Sequence, residues 1–151
     1  MANWLERVCQ RYRYPESGHD YDVSWDYEVD EGIGDRERAD LVRFHEMLEM
    51  DLFPKLGLFR SAKFEFVRDL GGDVAKYVNG TVSAPVVVID LGAIQRHCVN
   101  MGECDREIRL SILHELGHAV QEAYGVEMDE AWAEAFARNY LFGGEVMVPE
   151  N

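Results

Sequence analysis

The sequence predicts an α+β fold: helix, strand and helix are followed by several grouped strands, and two helices close the chain. Three observations carry this. Residues 21–30 alternate strictly between apolar and polar side chains, mostly acidic. Val86-Val87-Val88-Ile89 is a short unbroken apolar run. From Asp105 onward the apolar period changes from 2 to 3.6. Strands grouped ahead of two helices point to α+β, not to alternating α/β.

Taken in order, residues 3–13 predict a short amphipathic helix, with Trp4, Leu5, Val8 and Tyr12 at helical spacing. Pro15-Glu16-Ser17-Gly18 is a turn. Tyr21, Val23, Trp25, Tyr27 and Val29 then alternate with Asp22, Ser24, Asp26, Glu28 and Asp30, a half-buried strand with an acidic outer face closed by Gly32 and Gly34. Residues 36–53 predict a second helix along Leu41, Phe44, Leu48 and Leu52, with Pro54 ending it. Phe64 and Phe66 alternate with Lys63 and Glu65 in a strand before Gly71-Gly72. Asn79-Gly80, between Ala75–Val78 and Thr81–Ser83, is a two-residue hairpin signal. Pro85 cannot donate to a ladder and implies an edge, a bulge or a strand start. Val86–Ile89 reads as a central strand. Ile108, Ile112, Leu116, Ala119 and Ala123 trace one helical stripe that Gly125 stops, and a last helix runs from an Asp129 cap to Phe142.

The chain has 151 residues, enough for one domain, 1–151, with a core of its own. With 47% hydrophobic and 29% charged residues it has ordinary globular composition, against wholesale disorder. Its net charge of −14 excludes the basic footprint of a nucleic-acid binder or a polybasic membrane binder, and favours a basic partner or substrate. Cys9, Cys98 and Cys104 lack the paired spacing of a zinc knuckle and read as reduced thiols. The longest apolar run, Ala84 to Ile89, falls far short of the roughly 20 residues of a membrane span, and the first residues lack a signal-peptide core. A soluble, cytoplasmic protein is therefore expected.

The chemistry is concentrated in His114-Glu115-Leu116-Gly117-His118, an H-E-x-x-H motif inside a predicted helix. Four residues advance the helix by about 400° and 6 Å, so both imidazoles leave one face a turn apart. That spacing suits one tetrahedral zinc ion at about 2.0–2.1 Å from each nitrogen. Glu115, beside the first histidine, is placed to take a proton from a water on the ion. In a chain of this composition the bare motif would arise by chance about 0.02 times.

A catalytic zinc needs a third protein ligand. Tyr124 stands six residues after His118, and Gln121 replaces the turn glycine, so the longer H-E-x-x-H-x-x-G-x-x-H pattern is absent. Glu122 lies about 12 Å along the helix from His114, too far to share its ion. The following helix offers Glu130 and, one turn on, Glu134: one to bind the ion, the other to hydrogen-bond a ligand histidine. Ala131, Ala133 and Ala135 are small enough to let the two helices approach.

His114-Glu115-x-x-His118 followed by Glu130-x-x-x-Glu134 resembles the gluzincin arrangement of thermolysin-like peptidases. More closely, Arg109–His118 and Glu130-x-x-Ala133-Glu134-x-Phe136-Ala137 resemble the ImmA/IrrE-type zinc peptidases over residues 105–142. The resemblance implies a zincin-like fold: an antiparallel or mixed sheet packed on the motif helix, an edge strand that aligns extended peptides, and a second helix bearing the third ligand. It implies a minimal zinc metallopeptidase with Zn2+ on His114, His118 and Glu130, Glu115 as general base, and Glu134 supporting a histidine. Its substrate would be a peptide or protein, basic if the net charge guides capture. A zinc-containing regulatory or binding module of the same fold is the alternative.

Other signals are weaker. Asp20, Asp22, Ser24, Asp26, Glu28 and Glu31 match calcium-loop spacing, but Trp25 stands where the sharp turn needs glycine. His97, Tyr124, Arg138 and Tyr140 are candidate donors to a developing oxyanion. His19 and His45 read as surface residues.

Overall fold

The computed structural model describes residues 23–25, 34–67, 70, 74–81, 84–98 and 100–150. The expected helix at 3–13, the turn at 15–18, Gly71-Gly72, His19 and most of the acidic strand lie outside them. The elements are β1 (Val23–Trp25), α1 (Asp35–Met47), a π-helical segment (Leu48–Leu52), α2 (Phe53–Leu56) and β2 (Lys63–Val67). After them come β3 (Ala75–Thr81), β4 (Ala84–Asp90), α3 (Leu91–His97), α4 (Met101–Tyr124) and α5 (Glu130–Leu141). The architecture is α+β with a mixed four-stranded sheet in the order β1-β2-β4-β3. β1, β2 and β4 run parallel, and β3 runs antiparallel to β4 at the sheet edge.

Alternation makes β2 a strand with one buried face: Phe64 and Phe66 are fully buried, Lys63 and Glu65 exposed. Trp25 of β1 is the register partner of Phe66 and stacks on it with ring centroids 4.7 Å apart. The apolar run of β4 is central, as its composition predicts, and Val87, Val88 and Ile89 are all buried. Pro85 sits at the second position of β4, at the strand start and opposite the register shift between Val78 and Thr81 of β3.

Asn79-Gly80 does not form the hairpin turn. β3 continues through it to Thr81, which pairs with Ala84, and the register shifts between Val78 and Thr81. The Asn-Gly pair therefore supplies a bulge, the other use of backbone freedom in an antiparallel ladder. The second helix also departs from expectation. Helical structure continues from Asp35 to Leu56 across Pro54 and stops at Gly57, whose φ is +69°. The wider π-helical turn just before Pro54 accommodates a ring that would clash with the carbonyl four residues back in a regular α-helix. His45, expected at the surface, is fully buried; its Nε2 donates to the Ala62 carbonyl at 2.7 Å and its ring meets Phe64 edge-on.

α3 was not visible in the pattern. Asp90 caps it, accepting from the Ala93 N–H, and also accepts from Leu70 N–H, which accounts for a buried carboxylate at a strand end. α4 begins at Met101, ahead of the periodic residues, because Asn100 accepts from the Glu103 N–H as N-cap. Ile108, Ile112, Leu116 and Ala119 are buried along it, whereas Ala123 is exposed in the last turn. Gly125, at φ +71°, ends the helix.

α4 lies against β3, β4 and α5. Asp129 caps α5 by accepting from the Trp132 N–H, and Ala133, Phe136 and Ala137 face inward. The close approach is between Gly117 and Ala133. A Cβ added at Gly117 would lie 3.1 Å from the Ala133 Cα and 3.3 Å from the Phe136 ring. Ala131 and Ala135 are exposed, because two positions either way rotate a helix by about 200°. Among the described residues no helix is long and apolar enough to cross a membrane.

Candidate metal centre

The motif histidines occupy the middle of α4, on the side facing α5 and the edge strand β3. Their rings are 4.9 Å apart, nearly perpendicular. His118 is buried and His114 and Glu115 are half-buried. One ligand-capable atom from each of His114, Glu115 and His118 lies within 4.8 Å of the other two, a group that could hold a metal ion.

α5 brings Glu130 and Glu134 to this group. The Glu130 carboxylate bridges the two rings, Oε2 to His114 Nε2 at 2.7 Å and Oε1 to His118 Nε2 at 3.0 Å. Glu134 Oε2 lies 3.0 Å from His114 Nδ1, and its other oxygen accepts from Arg138 Nε at 2.8 Å. The two glutamates thus divide the imidazole between them, one facing the inner nitrogen and one the outer. Asp129 serves as a cap, and Glu127 is exposed in the inter-helix turn.

Gln121 is the residue that motif reasoning passes over. It is buried, and its Oε1 lies 2.9 Å from His118 Nδ1. Its amide orientation is set by the backbone of Asp129: Nε2 donates to Asp129 O and Oε1 accepts from Asp129 N, both at 3.3 Å. The oxygen therefore faces His118, and Nδ1 must be the donor. The signal was present as i, i+3 spacing from His118 on one helix face.

These outer partners determine the proton positions. Glu134 is an acceptor and so is Gln121 Oε1, so both Nδ1 atoms carry hydrogen. The neutral rings then turn Nε2 lone pairs inward, toward two carboxylate oxygens that are also acceptors. Four acceptor atoms facing one another need positive charge between them, supplied by protons or by a cation. This is the donor set and orientation that a divalent ion with nitrogen and oxygen ligands requires.

The local electrostatics agree. Burial lowers the pKa of His114, but bonds to Glu130 and Glu134 and the nearby Glu115 charge outweigh it, and the net shift is upward. The bond to His114 holds the Glu130 carboxyl below the usual carboxylate range. Glu115 moves the other way: burial raises it, against the opposing pull of the two histidines and a hydrogen bond from the Tyr77 backbone on β3. A carboxylate with raised proton affinity, beside the two rings, is suited to accept a proton.

Of the candidate oxyanion donors, Tyr140, Arg138 and Tyr124 have partners or packing of their own. Tyr140 donates to Asp51 on the π-helical segment at 2.6 Å, and Arg138 is paired with Glu134. Tyr124 packs against the core, and His97 is the last residue of α3. Tyr77, not singled out from sequence, stands beside the centre; its half-buried hydroxyl is bonded to Glu122, and burial with that contact raises its pKa. Cys98 and Cys104 are free thiols. Compared with known proteins, the chain matches no family model, no curated protein and no solved structure.

Proposed function

We propose that the protein is a zinc-dependent metallopeptidase with a zincin-like site. One observation carries this: the inner nitrogens of both motif histidines converge on a single Glu130 carboxylate, while side-chain oxygens hold both outer nitrogens. Such an arrangement is costly to assemble from surface residues, and it suits a Zn2+ ion held by His114, His118 and Glu130. When bound, zinc supplies a Lewis acid and lowers the pKa of a water in the site.

The chain's own residues supply the rest. Glu115 accepts a proton from the attacking water and can pass it to the departing amine. Glu134 keeps His114 in its ligating tautomer, and Gln121 does the same for His118. The Tyr77 backbone of edge strand β3 bonds to Glu115, and an extended peptide added to that edge would run alongside the centre. The net charge of −14 favours basic substrates at the encounter stage.

Two measurements test the proposal. Trace-metal mass spectrometry of protein expressed with added zinc should find close to one zinc per chain. Glu115→Gln should retain that zinc while peptide hydrolysis falls by about 10²–10⁴-fold, the usual scale of general acid–base catalysis. Metal-free protein would refute the site. Unchanged hydrolysis by the variant would remove Glu115 from its role, and a zinc-loaded wild type that cleaves no peptide would favour a regulatory or binding module.

A further inference from the structure

We propose that the cleft running from His114 toward the start of α4 is a subsite for a basic side chain, with Glu107 selecting it. The inference rests on the peptidase function proposed above and names its substrate class: peptides with Lys or Arg beside the bond cleaved. The cleft has a volume of about 210 Å³ and lies between the beginning of β3 and one face of α4. Its inner end is His114, Glu115 and Glu134, so it opens directly onto the candidate metal centre.

Glu107, Ser111 and His114 follow one another at helical spacing along the cleft. Val74 and Leu110 provide an apolar wall. Glu107 stands at the far end, half-buried, and has no hydrogen-bond or ion-pair partner among the described residues. Glu134, in contrast, is already bonded to His114 and Arg138. Seven residues of helix place Glu107 about 10 Å from His114 along the axis. That is too far to share an ion with the histidines. It is a span that a long basic side chain reaching toward the glutamate's own side chain can close.

The chemistry selects one class of occupant. The methylene stem of Lys or Arg lies against Val74 and Leu110 while its charged head meets Glu107. A carboxylate held partly out of water gains most from a cation that brings its own hydrogen-bond donors. An acidic side chain would meet Glu107 and Glu115 as like charges. A neutral side chain of equal length would fill the wall but leave Glu107 without a partner.

The test uses zinc-loaded protein and three peptides differing only at the residue flanking the cleaved bond: Arg, norleucine or Glu. The Arg peptide should have the highest kcat/KM, and the preference should shrink as salt rises. Glu107→Gln should lower the Arg-to-norleucine ratio by about tenfold, and Glu107→Lys should reverse the order in favour of the Glu peptide. Binding of the same peptides, fluorescently labelled, to Glu115→Gln protein with and without Glu107→Gln reads the subsite independently of turnover. Hydrolysis without a basic preference, or ratios unmoved by the Glu107 variants in both assays, would overturn the subsite and leave the peptidase standing. Glu107-dependent preference in binding with no hydrolysis of any peptide would support the subsite and sink the peptidase.

Discussion

Gly117→Ala tests the link between helix packing and the metal centre. Gly117 is a mid-helix glycine, so alanine would on its own stabilise α4 by about 1 kcal/mol. Here the added methyl would lie 3.1 Å from the Ala133 Cα and 3.3 Å from both its Cβ and the Phe136 ring. The nearest atom is backbone, so relief requires α5 to retreat by a few tenths of an ångström. Overpacking of this kind costs typically ~1–3 kcal/mol. Gly102, in the first turn of the same helix, is the control, since its added methyl would meet only Asn100 Oδ1 at 3.5 Å. Subtracting the two variants removes most of the propensity gain. Gly117→Ala should therefore melt below Gly102→Ala by roughly 2–12 °C at this chain length. Circular dichroism melts in the presence of a chelator would measure it. The same retreat carries Glu130 and Glu134 away from the histidines, and metal sites tolerate only about 0.2 Å in ligand distance. Zinc affinity should fall for Gly117→Ala and not for Gly102→Ala. A Gly117→Ala protein that melts at or above the control with unchanged zinc affinity would refute the coupling.

Two other outcomes follow from the geometry. Glu130→Ala should remove most of the bound zinc, whereas Glu134→Ala should weaken affinity by about 10–100-fold, the scale for losing a partner that orients a ligand; competitive metal titration would show the order, and its reversal would exchange the two roles. The Asp51–Tyr140 bond should give a pH signature. The Tyr140 hydroxyl and then Lys55 hold Asp51 below its ordinary carboxyl pKa, so its contribution is present above about pH 4 and lost as pH falls through the depressed value. Burial and the Asp51 contact raise Tyr140, so its side of the bond is fully present below about pH 10. The melting difference between wild type and Tyr140→Phe should be level from pH 5 to 9, no more than about 3 °C for so exposed a carboxylate, and should vanish in stronger acid. A difference that grows below pH 4 would contradict the assignment.

Sequence periodicity alone determined the strand at Phe64 and Phe66, the central run at Val86–Ile89 and the two closing helices, because alternation and 3.6-residue spacing are local properties of the chain. Caps were equally legible at Asp129 and Gly125, where one side chain or one backbone conformation decides the end. His114, Glu115 and His118 were marked as one candidate group by spacing on a single helix, and Glu130 and Glu134, one turn apart on the next helix, as their candidate partners. The tertiary structure decided what depends on distant residues. The parallel pairing of β1, β2 and β4 is invisible to a single strand's pattern. Asn79-Gly80 serves a bulge instead of a turn because the ladder runs past it. His45 is buried because the Ala62 carbonyl offers a partner seventeen residues away. At the candidate centre, spacing on α5 could not say which glutamate faces which nitrogen; the tight seat of Ala133 against Gly117 sets that, by fixing how closely and at what height the two helices meet. Gln121 holds His118 only because the start of α5 folds back to clamp its amide, a contact between two elements that neither helix specifies alone.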